Sequence, residues 1–148
     1  MRVEHLVIGS YGALAGCELD LAAPATGITV IVGPNEAGKS TIMRALSTLF
    51  FGVPRADPDA HQGRESVHIG ATLRGGEGTA RRVVRQGLAA RPLVDDAGER
   101  VDDVVMQVLL GGVDRARFDT LFRIGHQELV QNSPLLLETK GELGQLLF

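Results

Sequence analysis

Gly33-Pro34-Asn35-Glu36-Ala37-Gly38-Lys39-Ser40 sets two glycines five positions apart and follows the second with a lysine and a hydroxyl. The spacing G-x-x-x-x-G-K-[ST] suits polyphosphate binding. Gly33 and Gly38 let the backbone curl until successive N–H groups face phosphate oxygens. Lys39 offers a mobile cation to β- and γ-phosphates, and Ser40 a hydroxyl to Mg²⁺. A helix opening at Lys39 aims the positive end of its dipole at the same anions. The lysine is the telling residue, because Lys140 is the only other one among 15 basic residues. The expected cradle therefore comprises Gly33, Pro34, Asn35, Glu36, Ala37, Gly38, Lys39, Ser40 and Thr41, with a polyphosphate and Mg²⁺ as the groups held. The motif points to a nucleoside triphosphate without saying what is done with it.

Such a loop needs a strand before it and a helix after it. Ile28-Thr29-Val30-Ile31-Val32 is apolar throughout, which predicts a central strand covered on both faces. Downstream, Ile42, Ala45, Leu46, Leu49 and Phe50 make one helical stripe that Gly52 and Pro54 stop. Upstream, the apolar run at 3–8 and the alternation Cys17-Glu18-Leu19-Asp20-Leu21 read as an antiparallel strand pair.

Val67, Ile69, Ala71 and Leu73 alternate before Gly75-Gly76-Glu77-Gly78, and 79–86 returns, so a β-hairpin is expected there. A shorter hairpin turns at Asp95-Asp96-Ala97-Gly98. Asp102 or Asp103 caps a helix ended by Gly111-Gly112, and Asp114 caps another running to Phe122. The tail 134–148 has helical spacing and stops on Leu146-Leu147-Phe148.

Length and composition set bounds on these readings. A chain of 148 residues, 44% hydrophobic and 22% charged, fits one folded domain. Net charge is −3, so a nucleic-acid contact has to come from a local patch. The richest stretch, 64–91, holds six arginines against Glu65 and Glu77. From it, Arg74, Arg81, Arg82 and Arg85 are the candidates for DNA phosphates, although no aromatic lies among them to stack a base. Six acids follow within 92–114, at spacings that match turn and cap roles better than a calcium loop. Cys17 stands alone, and the four histidines lack zinc spacing. The opening residues lack an apolar signal core and no run is long enough to span a membrane, so a cytoplasmic location is expected.

The wording of the loop resembles that of SMC-like, ABC-type ATPases, the superfamily of RecF and RecN. The N-terminal head of YhaN-type AAA proteins is the closer match. Three stretches carry it: Met1-Arg2-Val3-Glu4-His5-Leu6, residues 28–52, and Leu121-Phe122-Arg123-Ile124-Gly125-His126-Gln127-Glu128-Leu129 with its downstream leucines. The resemblance implies an α/β, P-loop NTPase lobe over residues 1–148, with an N-terminal antiparallel β-subdomain and an inserted β-hairpin. It implies a C-terminal half beyond a coiled coil, bringing the signature motif and Walker B acids, and a second head joined by ATP. It also implies work on DNA, such as repair. His126 and Gln127 occupy the region where such ATPases carry a residue reaching metal and γ-phosphate.

Pro92-Leu93-Val94-Asp95-Asp96 is too short an apolar run for a Walker B strand, and Leu109-Leu110-Gly111-Gly112 reads as a helix stop. Hydrolysis is therefore expected only with the second half present. Two other readings stand beside this one. One is a nucleotide-gated assembly module without turnover. The other is a small P-loop kinase, which the late position of the loop and the lack of an arginine-rich lid disfavour.

Overall fold

In the computed structural model, residues 1–22, 28–60, 63–76, 78–87 and 93–122 are described. They fall in two compact units, Met1–Val113 and Asp114–Phe148. In the first, β1 (Arg2–Tyr11) and β2 (Leu14–Asp20) form a tight antiparallel hairpin. β3 (His68–Arg74) and β4 (Ala80–Gln86) form the second expected hairpin. The two hairpins join edge to edge through β1 and β3, and β5 (Leu93–Val94) adds to β4. The result is one five-stranded sheet of order β2-β1-β3-β4-β5, antiparallel at every pairing. The downstream hairpin is thus no separate insert but the other half of the N-terminal sheet.

Register explains the core. Paired residues of an antiparallel ladder share a face. Leu6, Ala71 and Val83 stand in one row, and Ile8, Ile69, Arg85 and Leu93 in the next; all are essentially buried. Val67, Ile69, Ala71 and Leu73 are all buried, as their alternation requires. β1 slips its register against β3 between Ile8 and Ser10. Buried positions then change phase from Leu6 and Ile8 to Tyr11, the outcome of an irregularity that re-aims the residues beyond it.

α1 (Lys39–Phe51) packs against β1 and β3. Its stripe is buried at Ile42, Ala45, Leu49 and Phe50 and half-buried at Leu46. Full burial of a side chain such as Leu49 contributes about 1.5–3 kcal/mol. Gly52, at φ 86°, ends the helix and donates its N–H to Thr48 O. α2 (Asp103–Leu109) is capped by the Asp102 carboxylate, which accepts from Val104 N. In the second unit, Asp114 caps α3 (Arg115–Leu121) by accepting from Arg117 N, and Phe118 stacks on Phe122. No helix among the described residues is long and apolar enough to cross a membrane.

The expected central strand is the main departure. Residues 28–32 join no ladder, and Ile28, Val30 and Val32 are 93%, 73% and 87% exposed. Both neighbours of β1 are already taken, by β2 and β3. A continuous apolar run requires cover on both faces. Among the described residues no strand lies beside this one, so the parallel α/β core of the expected fold is not formed by them.

Candidate functional site

The loop at 33–40 turns between the exposed apolar run and α1. Ala37 N donates to Pro34 O at 3.3 Å, closing a turn across Asn35 and Glu36. Two residues take the left-handed region, Glu36 at φ 65° and Gly38 at φ 87°. Glu36 is the only non-glycine among the described residues to do so, and nothing in the spacing of the motif announces it. Gly33 has an ordinary φ; a Cβ there would lie 3.2 Å from Ala37 Cβ, a tight approach within the loop.

Gly38 is required twice over. Its φ disfavours any side chain, and a Cβ would come within 2.6 Å of Leu14 Cδ2. Leu14 opens β2, so the β1–β2 turn lies directly against the phosphate loop. Gly38 is also the N-cap of α1 and supplies no side-chain cap, and the first turn carries no acid. Among the described residues no side chain caps the opening N–H groups, an arrangement that suits an incoming anion.

Lys39 folds back over the loop. Its Nζ donates to Gly33 O at 2.7 Å and to Pro34 O at 2.6 Å. An ammonium has three donors, so one N–H is left for a ligand oxygen. Lys39 and Ser40 are exposed, as are residues 33–37, whereas Thr41 is only 7% exposed. The Thr41 hydroxyl accepts from Arg44 Nη2 at 3.1 Å. Residues 33–40 thus form one exposed loop running into the start of α1, while Thr41 is turned into packing.

Arg44 and Asp59 were not marked by any sequence pattern. The Arg44 Nε donates to Asp59 Oδ2, and its Nη2 to Asp59 Oδ1 at 3.2 Å. The Asp59 carboxylate pushes the Arg44 guanidinium further above its ordinary value. Beside this pair, Tyr11 donates its hydroxyl to Asp57 Oδ2 at 2.9 Å and lies 3.0 Å from Thr48 Oγ1. Burial, seconded by the Asp57 charge, raises the Tyr11 phenol well above its usual range. The pair is separated by 15 positions in the chain, beyond the reach of any local periodicity.

The four arginines named for DNA part company. Arg85 is 2% exposed and donates to Leu49 O at 3.0 Å and Asp103 Oδ1 at 3.0 Å. Its phase with Val83 on β4 turns it into the core, so it is no phosphate contact. Arg74 grips Glu4 with Nε at 2.5 Å and Nη2 at 2.9 Å and donates to Gly78 O. These bonds, with a further one from Arg2, hold the Glu4 carboxyl down at about 2. Arg82 pairs with Asp96 at 3.4 Å. Arg81 is exposed and makes no ion pair among the described residues.

The acidic stretch does the structural work its spacing indicated. Asp95 accepts from Ala97 N and Glu99 N, Asp102 caps α2, Asp103 meets Arg85, and Asp114 caps α3. No metal-holding cluster of His, Cys, Asp or Glu occurs among the described residues. His126 and Gln127, and the tail 134–148, lie outside the described residues.

Compared with known proteins, residues 1–148 match the profile of a family described as an AAA domain. No curated protein matches the chain.

Proposed function

The chain belongs to this AAA-domain family, a family of nucleotide-binding, ATPase-like domains, and from there we propose that it is the N-terminal lobe of an SMC-like, YhaN-type ATPase head. The observation that carries the proposal is the uncapped start of α1 behind Gly38, with the Lys39 ammonium held over the loop carbonyls. Backbone N–H groups and the helix dipole receive the phosphates. The third N–H of Lys39 would meet a β- or γ-phosphate oxygen, and the Ser40 hydroxyl would hold Mg²⁺. Mg²⁺ bound there would supply neutralisation of the phosphate charge.

Turnover in this reading draws on a second lobe. The acids nearest to a metal-positioning pattern, Asp95 and Asp96, sit in a turn and an ion pair. The exposed run at 28–32 supports the same reading, since it joins no ladder among the described residues and its main chain can take a strand alongside while Ile28, Val30 and Val32 take cover. The C-terminal half of the head is the partner proposed for it, and a second head the partner that ATP would bring in. The same exposed run also favours the alternative of nucleotide-gated assembly without turnover. Among the four arginines, work on DNA rests on Arg81, which is exposed and makes no ion pair among the described residues.

Competition binding tests the central proposal. The chain is titrated with a fluorescent ATP analogue and Mg²⁺, then challenged with unlabelled ATP, ADP and AMP. A loop that holds the phosphate tail makes ATP and ADP strong competitors and AMP a weak one. Equal competition by all three would overturn the loop assignment.

A further inference from the structure

Three separate pieces of chain meet at the first turn of α1. The β1–β2 turn brings Gly12, whose N–H donates to Asp59 O at 2.8 Å. A Cβ on Gly12 would lie 2.6 Å from Asp59 Oδ1 and 3.0 Å from Thr41 Cγ2. The irregular segment after α1 brings Asp59, with its N–H accepted by Asp57 Oδ1 at 3.0 Å. α1 itself brings Thr41 and, one turn on, Arg44. The Arg44 guanidinium spans all of this, gripping Asp59 with two nitrogens and Thr41 with one of them. Asp59 is 11% exposed and Arg44 32%, so the pair is shielded in part from water and salt.

We infer that Arg44, held by Asp59, is a positioning residue for the nucleotide: through Thr41 it fixes the register of the α1 first turn beside the loop. The inference rests on the phosphate-loop reading above. Its chemical content is a charge-assisted fork at one end and a neutral hydrogen bond at the other. A planar guanidinium fixes direction as well as distance, which a lysine ammonium does not. Thr41 directly follows Ser40, so any shift of Thr41 is a shift of the Mg²⁺ hydroxyl and of the N–H groups aimed at phosphate. Leu14 against Gly38 ties the same β1–β2 turn to the loop at a second point, about one helical turn before Thr41. The contacts of Arg44 run to Thr41 and Asp59, and its influence passes through them.

The test compares affinity for the fluorescent ATP analogue with thermal stability of the ligand-free chain. The variants are Arg44→Ala, Arg44→Lys, Asp59→Ala, Asp59→Asn and, as a structural control, Tyr11→Phe. Tyr11→Phe removes the bond to Asp57 and leaves the Arg44 fork intact. The inference expects affinity to fall about 5- to 20-fold in Arg44→Ala and Asp59→Ala, the lower part of the usual range for coupling between sites. Arg44→Lys and Asp59→Asn keep part of the contact and fall between these and wild type. Tyr11→Phe loses stability but keeps its affinity. If affinity simply follows stability across all five variants, or stays at wild-type value in both conservative variants and whichever alanine variants fold, the positioning role is overturned. Lys39→Ala separates this from failure of the parent reading: a wild type that binds no better than Lys39→Ala overturns the phosphate loop, and the positioning role falls with it.

Discussion

Arg85 on β4 donates to the Leu49 carbonyl at 3.0 Å and thereby closes the C-terminal end of the helix whose opposite end carries the phosphate loop. A cation at that end also complements the helix dipole. Replacing Arg85 with methionine leaves the Leu49 carbonyl without this donor in the interior, at an expected cost of about 1–3 kcal/mol. Asp103, the other partner, is 65% exposed, so Asp103→Asn is expected to cost no more than about 1 kcal/mol. Urea unfolding of the two variants checks the asymmetry; equal losses would place the energy in the ion pair instead of the helix end.

Lys39→Ala removes a charge-assisted contact to phosphate. The expected loss is about 1.5–3 kcal/mol, roughly 10- to 150-fold in ATP affinity. Ligand-free stability should change little, because Lys39 is exposed and its bonds are to loop carbonyls. Titration and thermal melting of the same sample measure both.

Two glycine substitutions separate strain from collision. Gly16, at φ 61°, has open space around it, whereas Gly38, at φ 87°, faces Leu14. Gly16→Ala carries the left-handed penalty alone, about 1–2 kcal/mol. Gly38→Ala adds displacement of Leu14 and should be the more destabilising, with loss of nucleotide binding besides. Equal unfolding midpoints for the two would show that the β1–β2 turn yields to the loop without cost.

Glu4 gives the chain an acid-sensitive contact. Bonds from Arg74 and then Arg2 lower its carboxyl from 4.5 to about 2. A group depressed on folding stabilises fully above its unfolded value and loses that contribution as pH falls toward its folded one. Stability should therefore decline between about pH 5 and pH 2, and Glu4→Gln should flatten that part of the curve. Denaturant midpoints across that range decide it; an unchanged slope in the variant would assign the acid loss elsewhere.

The run at 28–32 makes a prediction about behaviour at high concentration. Val30→Asp with Val32→Asp changes two exposed positions, so folding stability should stay within about 0.5 kcal/mol. Self-association should fall, because an exposed apolar strand is a template for pairing. Light scattering against concentration measures it, and no difference between variant and parent would remove this run as an adhesive surface.

Much of this arrangement was legible in residue order. The α1 stripe, both hairpins and the Asp102 and Asp114 caps follow from local periodicity and local hydrogen bonding, and the structure has them where those rules put them. The cradle spacing was equally plain. What escaped depends on neighbours far along the chain. Apolar continuity at Ile28 to Val32 states a need for cover but not whether a cover is there. The arginines of β4 look alike as a charge cluster, yet strand parity sends Arg85 inward with Val83 and Arg82 outward. That parity is carried by the alternation of the strand, whereas a count of charges does not contain it. Arg44 and Asp59 meet only because the segment after α1 doubles back, which no spacing rule encodes.

The sheet order has a consequence for the chain as it is made. β1 lies between β2 and β3, and β3 begins only at His68, well after α1 has ended at Phe51. During synthesis the β1–β2 hairpin and α1 emerge while their shared apolar face, Leu6, Ile8 and Leu49, still lacks Ile69, Ala71 and Leu73. Residues are added at about 5–20 per second, so that face stays open for seconds. Slow or paused translation before His68 would lengthen the exposure, and an early chaperone contact would fall there, on the ribosome, before the phosphate loop has a scaffold to hold it.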